Sequence, residues 1–265
     1  MNNIHSSSIV EPNAKLGSGI EIGPFCVIGP HVELGDGCKL HSHVVIEGHT
    51  VLGPNCEIYP FASLGHIPQD LKFQGEKSRL IIGSDNRIRE CVTINPGTEG
   101  GGLVTRIGSH CLFMAQSHVA HDCQIGDHVI LANGAAIAGH CVIGDHAILG
   151  GLSAVHQFVR IGEYAFIGGM SGVESDIIPY GMAVGPRAAL KGLNVIGIKR
   201  SGLDRDQLKQ LREAYDLLFA DEGTFSERTA KVAKTMPDDE LVGRIIEFIR
   251  EDSSRSLLVP KQDST

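Results

Sequence analysis

An aliphatic residue returns at every sixth position through most of this chain, and few folds accommodate so short a period. The series runs through Ile4, Val10, Leu16, Ile22, Ile28, Leu34, Leu40, Ile46, Leu52, Ile58 and Leu64 and resumes at Ile82, Ile88 and Ile94. It then continues in a new phase through Ile107, Phe113, Val119, Ile125, Leu131, Ile137, Ile143, Leu149, Val155, Ile161, Ile167 and Val173. A hexad is too short for a helix face and does not alternate strictly, but it suits a short strand followed by a turn. Three such units close an 18-residue triangular coil, and coils stacked at strand spacing, about 4.8 Å, form a parallel β-helix.

Such a prism has room for one aliphatic and one small residue per face, which explains an odd composition. The chain has 33 Gly in 265 residues, no Trp and 5% aromatics. Glycine does not recur every third residue, so collagen is excluded, and the abundance of Ile, Val and Leu excludes Gly-rich disorder. The residue two before each aliphatic shares its face of the pleat and must be small. Cys26, Cys38, Cys56, Cys111, Cys123 and Cys141 all occupy that slot, leaving Cys91 outside it. These thiols read as small buried hydrophobes rather than nucleophiles. Seven cysteines with no C-x-x-C pair fit reduced thiols and no zinc site. A formal net charge of −8 disfavours nucleic acid as a partner. No basic and apolar leader opens the chain and no run approaches about 18 apolar residues, so a cytoplasmic location without membrane insertion is expected.

Two stretches break the hexads. HIPQDLKFQGEKSR and NPGTEGGGLVTR cannot fill the repeat slots, so loops are expected at 66–81 and 95–106, the places on a rigid solenoid where ligand contacts gather. The β-helix is expected over 1–190 and a small α-helical domain over 191–265. Asp204 with Gln207 and Thr224 with Glu227 form capping boxes that open two helices, and Pro237 precedes a third. The tail SSRSLLVPKQDST reads as frayed.

Coil arithmetic gathers a few of the 13 histidines. Adding 18 residues to His121 reaches Gly139, beside His140, and adding 18 again reaches Gln157, beside His156. His118, His121, His140, His156 and Gln157 therefore share one edge, although stacking also makes ladders of like residues without any function. Some hexapeptide-repeat proteins of the γ-carbonic-anhydrase kind bind zinc through histidines five apart; no two histidines here have that spacing, and no metal is expected. A general base is the better role for His121, since Asp122 can orient the ring and the Gly139 N–H can face an oxyanion.

The segments SHVAHDCQIGD, QDLKFQG, INPGTEGGG, GGLSAVHQF and NVIGIKR closely resemble the bacterial UDP-N-acetylglucosamine O-acyltransferases, which open lipid A biosynthesis. The similarity covers essentially the whole chain. It implies a left-handed β-helix, a homotrimer with clefts between prisms, and no cofactor. The implied reaction moves an (R)-3-hydroxyacyl group from acyl carrier protein to the 3-hydroxyl of UDP-N-acetylglucosamine. By matching motif, His121 is the base, Asp122 orients it and Gly139 binds the oxyanion. Gln69, Asp70 and Lys72 hold the sugar nucleotide, His118, His140, His156 and Gln157 line the cleft, and Asn194 and Arg200 contact the uridine diphosphate end. Gly169 occupies a position that ends the acyl groove in this family, and its lack of a side chain implies a long acyl group. Ser201 stands where the family often has a second Arg, which weakens the assignment of a phosphate clamp but not the chemistry. Arg187, Lys191, Lys199 and Arg200 form a candidate basic patch for the acidic carrier, with a solvated charge run as the alternative. Two other functions remain open: a related N-acyltransferase of the same pathway, which carries an additional N-terminal uridine-binding domain, and a non-catalytic scaffold.

Overall fold

A computed structural model describes residues 1–200 and 202–261. It is a left-handed parallel β-helix with an α-helical C-terminal bundle. Short strands rotate through three parallel sheets, so each strand pairs with the one a full coil later: Lys15 with Glu33, Val119 with Ile137, Ile143 with Ile161. The repeat aliphatics point inward and are buried from Ile22 onward. Ile4 is 40% exposed and Val10 and Leu16 are half-buried, because no coil lies beneath the first turn.

The six slot cysteines are all buried and free, and Cys91 is exposed. Each buried thiol donates to a carbonyl of the following coil, from Cys26 to His41 O at 2.9 Å up to Cys141 to His156 O at 3.1 Å. Burial pushes the Cys111 thiol up to about 11, in keeping with a packing role.

Neither break in the hexads skips a coil. Leu52 pairs with Ile82, 30 residues on, and Ile82 pairs with Ile107, 25 residues on, so the extra residues leave as loops and the stack continues. Both loops end earlier than expected, because Arg79–Ile82 and Val104–Ile107 are four-residue strands. Leu80 and Thr105 are buried two before the aliphatic there, and Leu80, like Ile20, shows that this slot also admits a full-sized aliphatic where a small residue was expected.

Glycine serves close approach more than turning. A Cβ at Gly35 would lie 2.6 Å from the Pro54 nitrogen of the next coil. Many corners with positive φ are instead held by larger residues, among them Phe25, His43, Asn55, His146 and Tyr164. Their rings stack from coil to coil, as in His128, His146 and Tyr164 at centroid spacings of 4.6 and 4.5 Å.

The solenoid ends where Gly181–Val184 pairs antiparallel with Ala189–Leu193, a strand that runs across the expected division at 190/191. Four helices follow among the described residues: α1 (Val195–Arg200), α2 (Arg205–Leu218), α3 (Phe225–Thr235) and α4 (Glu240–Arg250). Both expected capping boxes form, Pro237 precedes α4 as expected, and Asp239 caps it by accepting from Val242 N–H. Arg160 ties bundle to prism, pairing with Asp176 and Glu251 at 2.8 Å each and donating to Phe248 O. Through residue 261 the tail departs from its expected fraying, and residues 262–265 lie outside the described residues. Asp176 N–H donates to Ser256 O at 2.9 Å and Leu258 N–H to Asp176 O at 2.7 Å, so the segment lies along the last coil as an added bridge.

Candidate active site

His121 and Asp122 stand at the corner that leads from the second sheet, through His118–Val119, into the third, through Gln124–Ile125. Both are buried. His121 Nδ1–H donates to Asp122 Oδ2 at 2.8 Å. Adjacent residues can meet in this way because Asp122 takes the left-handed conformation, with φ of 60°. The carboxylate is fixed from its other side by Thr98, whose N–H donates to Oδ1 at 2.8 Å and whose hydroxyl donates to Oδ2 at 2.6 Å. Asp122 N–H in turn donates to Thr105 Oγ1 at 2.7 Å. Gly97 and Gly101 let the second loop close over this carboxylate, since a Cβ at Gly101 would collide with it. With Nδ1 engaged, the proton-accepting position of His121 is Nε2. Asp70 Oδ2, from the first loop, lies 4.0 Å from that atom.

Gly139 lies one coil above His121, and the imidazole rests against it: a Cβ there would fall 2.5 Å from Cε1 and 2.7 Å from Nε2. Gly139 N–H donates to no acceptor among the described residues. His140 meets His121 edge to face at 5.0 Å and stacks on Phe158 at 4.4 Å. Its pKa is lowered mainly by burial, against the upward pull of Asp122 and Asp70 and with the downward push of His121 and Lys72. His118 pairs through Nδ1 with Thr93 Oγ1 at 2.7 Å, and burial lowers its pKa as well. Ligand atoms of His121, Asp122 and His140 lie within 4.8 Å of one another, a spacing that could hold a divalent ion. The Asp122 oxygens already accept three hydrogen bonds from Thr98 and His121, the arrangement of an oriented base.

Other expected residues stand at varying distance from this centre. Gln69 and Lys72 are exposed on the first loop, with Lys72 N–H bonded to Asp70 Oδ1 at 3.0 Å. His156 and Gln157 are exposed on the same edge, two coils above the base. Gly169 is exposed on the corner at the opposite margin of the second sheet. Asn194 and Arg200 do not reach His121 within one chain. They line a cavity of about 870 Å³ on a different edge of the prism, with His128, His146, Tyr164 and Phe166. Asn194 caps α1 by accepting from Gly197 N–H at 3.0 Å and donates to Tyr164 O at 2.9 Å, which leaves one Nδ2 hydrogen for a ligand. Arg187, Lys191, Lys199 and Arg200 are exposed and form no ion pair among the described residues. Ser201 lies outside the described residues.

The expectation from sequence missed two features. One is Thr98, hidden in a glycine-rich loop with no periodicity to mark it. The other is the outer face of the second sheet above His118, paved by Ala136, Ala154 and Gly172. A signal for it exists: in most coils the outward strand residue is larger, as with Lys39, Val45 and Glu57.

Comparison with known proteins agrees with this architecture. The bacterial transferase hexapeptide family matches residues 31–66 and 105–139, and the family described as UDP-N-acetylglucosamine O-acyltransferase, domain 2, matches residues 176–258. The acyl-[acyl-carrier-protein]–UDP-N-acetylglucosamine O-acyltransferase of Rickettsia canadensis is 52% identical over 254 residues, 96% of each chain. The protein of the same name from Methylobacterium radiotolerans is 64% identical over 208 residues, 78% of this chain and 76% of that one. The crystal structure of the UDP-N-acetylglucosamine acyltransferase from Francisella novicida superposes with a TM-score of 0.93 at 35% identity, covering 99% of this chain and 98% of that one. The Campylobacter jejuni enzyme gives 0.92 at 36% identity, covering 98% and 100%. The chain belongs to the UDP-N-acetylglucosamine O-acyltransferase family.

Proposed function

We propose that this protein transfers an (R)-3-hydroxyacyl group from acyl carrier protein to the 3-hydroxyl of UDP-N-acetylglucosamine, as the first step of lipid A biosynthesis. The observation that carries the mechanism is the 2.8 Å bond from His121 Nδ1 to a buried Asp122, which commits Nε2 to the acceptor sugar. His121 Nε2 takes the proton of the 3-hydroxyl as its oxygen attacks the thioester carbonyl. The tetrahedral oxyanion is met by the Gly139 N–H. Collapse of that intermediate breaks the C–S bond, and the imidazolium returns its proton to the departing thiolate of the carrier. Asp122, held by its two bonds from Thr98, stabilises the imidazolium while it exists.

Asp70, Lys72 and Gln69 supply polar contacts to the sugar nucleotide from the first loop, with His118, His140, His156 and Gln157 along the remaining edge. The row Ala136, Ala154 and Gly172 leaves an open strip for an acyl chain, and Gly169 leaves its far end unblocked. Because Asn194 and Arg200 occupy a different edge from His121, one ligand can touch both sets only if a second copy supplies one of them. A closed homotrimer of prisms meets that requirement. Arg200 then serves the diphosphate, and the exposed Arg187, Lys191 and Lys199 serve the acidic carrier. No described helix is long and apolar enough to cross a membrane, which accords with a cytoplasmic enzyme using two dissolved substrates.

The test is transfer from hydroxyacyl carrier protein to UDP-N-acetylglucosamine by the intact protein and by His121→Ala. The expected result is a loss of at least about 10²-fold in kcat, the scale of general-base catalysis. Retained activity in a folded variant refutes the assignment.

A further inference from the structure

The C-terminal segment reaches the same edge of the prism as the base. Arg255 Nη2 lies 2.6 Å from His156 Nδ1, and Arg255 Nε donates to Gln157 O at 2.9 Å. The two contacts come from one planar guanidinium and fall on two consecutive residues, so they set the orientation of the ring as well as its position. The backbone of His156 is held independently, by its N–H to Val173 O at 2.8 Å and by the Cys141 thiol on its carbonyl at 3.1 Å. What remains free to turn is the imidazole, whose Nδ1 lies 2.6 Å from Arg255 Nη2 and 3.4 Å from Gln157 O, so that the guanidinium is its closer partner.

A guanidinium has no acceptor. His156 Nδ1 must therefore accept, and the proton of the ring sits on Nε2. That nitrogen has no partner among the described residues, although it stands on the edge that carries His121, Gly139 and Gln157. Arg255 itself is anchored by a segment bridged to Asp176 through Leu257 and to Leu190 through Pro260.

We propose that Arg255 is a positioning residue for acyl transfer: it holds His156 as the Nε2–H tautomer, ring oriented, so that an N–H donor faces an oxygen of the bound substrates. The proposal rests on the reading of this edge as the acyl-transfer cleft. A carbonyl, phosphate or hydroxyl oxygen fits such a donor, whereas a substrate N–H does not. The last coil of the cleft is thus completed by residues 253–260 rather than by the solenoid alone.

The experiment compares the full-length protein with Arg255→Ala and Arg255→Lys, by nitrogen-15 imidazole spectra of His156 and by steady-state transfer kinetics. Wild type is expected to show a single Nε2–H pattern. Arg255→Ala is expected to show exchange between tautomers and a fall in kcat/KM of about three- to tenfold, the worth of one oriented hydrogen bond. Arg255→Lys, which can still donate to Nδ1, should recover part of that loss and keep the single pattern. If Arg255 only fastened the tail, Arg255→Ala would lower the unfolding midpoint while leaving the imidazole pattern and the kcat/KM of the folded protein unchanged, and that result overturns the proposal. Failure of the cleft reading is a separate outcome, seen as full transfer activity in His121→Ala, because the His156 spectrum reports on Arg255 whatever reaction the edge serves.

Discussion

Gly139→Ala isolates the placement of the base from its chemistry. The backbone at Gly139 is not in the left-handed region, so alanine meets no conformational penalty there, and its N–H is retained. The added methyl is the whole perturbation. Built on the present backbone, it lies 2.5 Å from His121 Cε1, 2.7 Å from Nε2 and 3.0 Å from Nδ1, where ordinary contact begins near 3.4 Å. The ring must retreat by about 1 Å, and a misplacement of that size costs on the order of 10²-fold in rate. Retreat also stretches the 2.8 Å bond to Asp122, which cannot follow because Thr98 holds both its oxygens. Transfer should be followed by chromatography of the acylated sugar nucleotide at saturating UDP-N-acetylglucosamine. The expected result is a kcat loss of about 10²-fold with a smaller change in KM, since the interaction lost belongs to the transition state. The unfolding midpoint should move little. A folded Gly139→Ala protein with kcat within about threefold of wild type would refute both the seat of the imidazole and the role given to it.

Two further outcomes follow from the same geometry. At Gly169 a Cβ would meet Gly151 O at 3.2 Å and Gly151 N at 3.8 Å, so Gly169→Met should fold with a shift of a few tenths of an ångström and turn the enzyme toward shorter hydroxyacyl carriers; an unchanged ranking in direct competition would reject Gly169 as the end of the groove. Acidification should destabilise the fold through His118 and His140, whose pKa values are lowered by burial. The unfolded rings bind protons near pH 6.5 while the folded ones resist, so this stability is intact above about 6.5 and is lost as pH falls from there toward the folded values. The unfolding midpoint should therefore hold level above about pH 6.5 and drop as pH falls below it, less steeply in His118→Gln, and an equal slope in that variant would contradict the assignment.

The solenoid was legible because its physics is periodic. One inward aliphatic and one slot residue recur every hexad, so Val119, Cys123 and Ile125 could be placed by counting, and counting also brought His121 under Gly139. Counting fails where contacts are made by residues outside the repeat. Thr98 sits in a loop whose length carries no register, yet it supplies two of the hydrogen bonds on Asp122. Arg255 belongs to a polar tail that composition marks as frayed, and what orders it is a pair of backbone bonds to Asp176 that depend on the last coil being present. Asn194 and Arg200 show a third limit: each can be assigned by motif, but which edge of a triangular prism a returning strand delivers them to is decided by the antiparallel turn at Gly181–Val184 and Ala189–Leu193. The rigid stack thus sets the distance between base and oxyanion donor, while non-repeating segments orient the groups around them. It follows that substitutions in the slots should act on stability and leave the chemistry of surviving protein intact, whereas substitutions at residues such as Thr98 and Arg255 should alter turnover in protein that still folds.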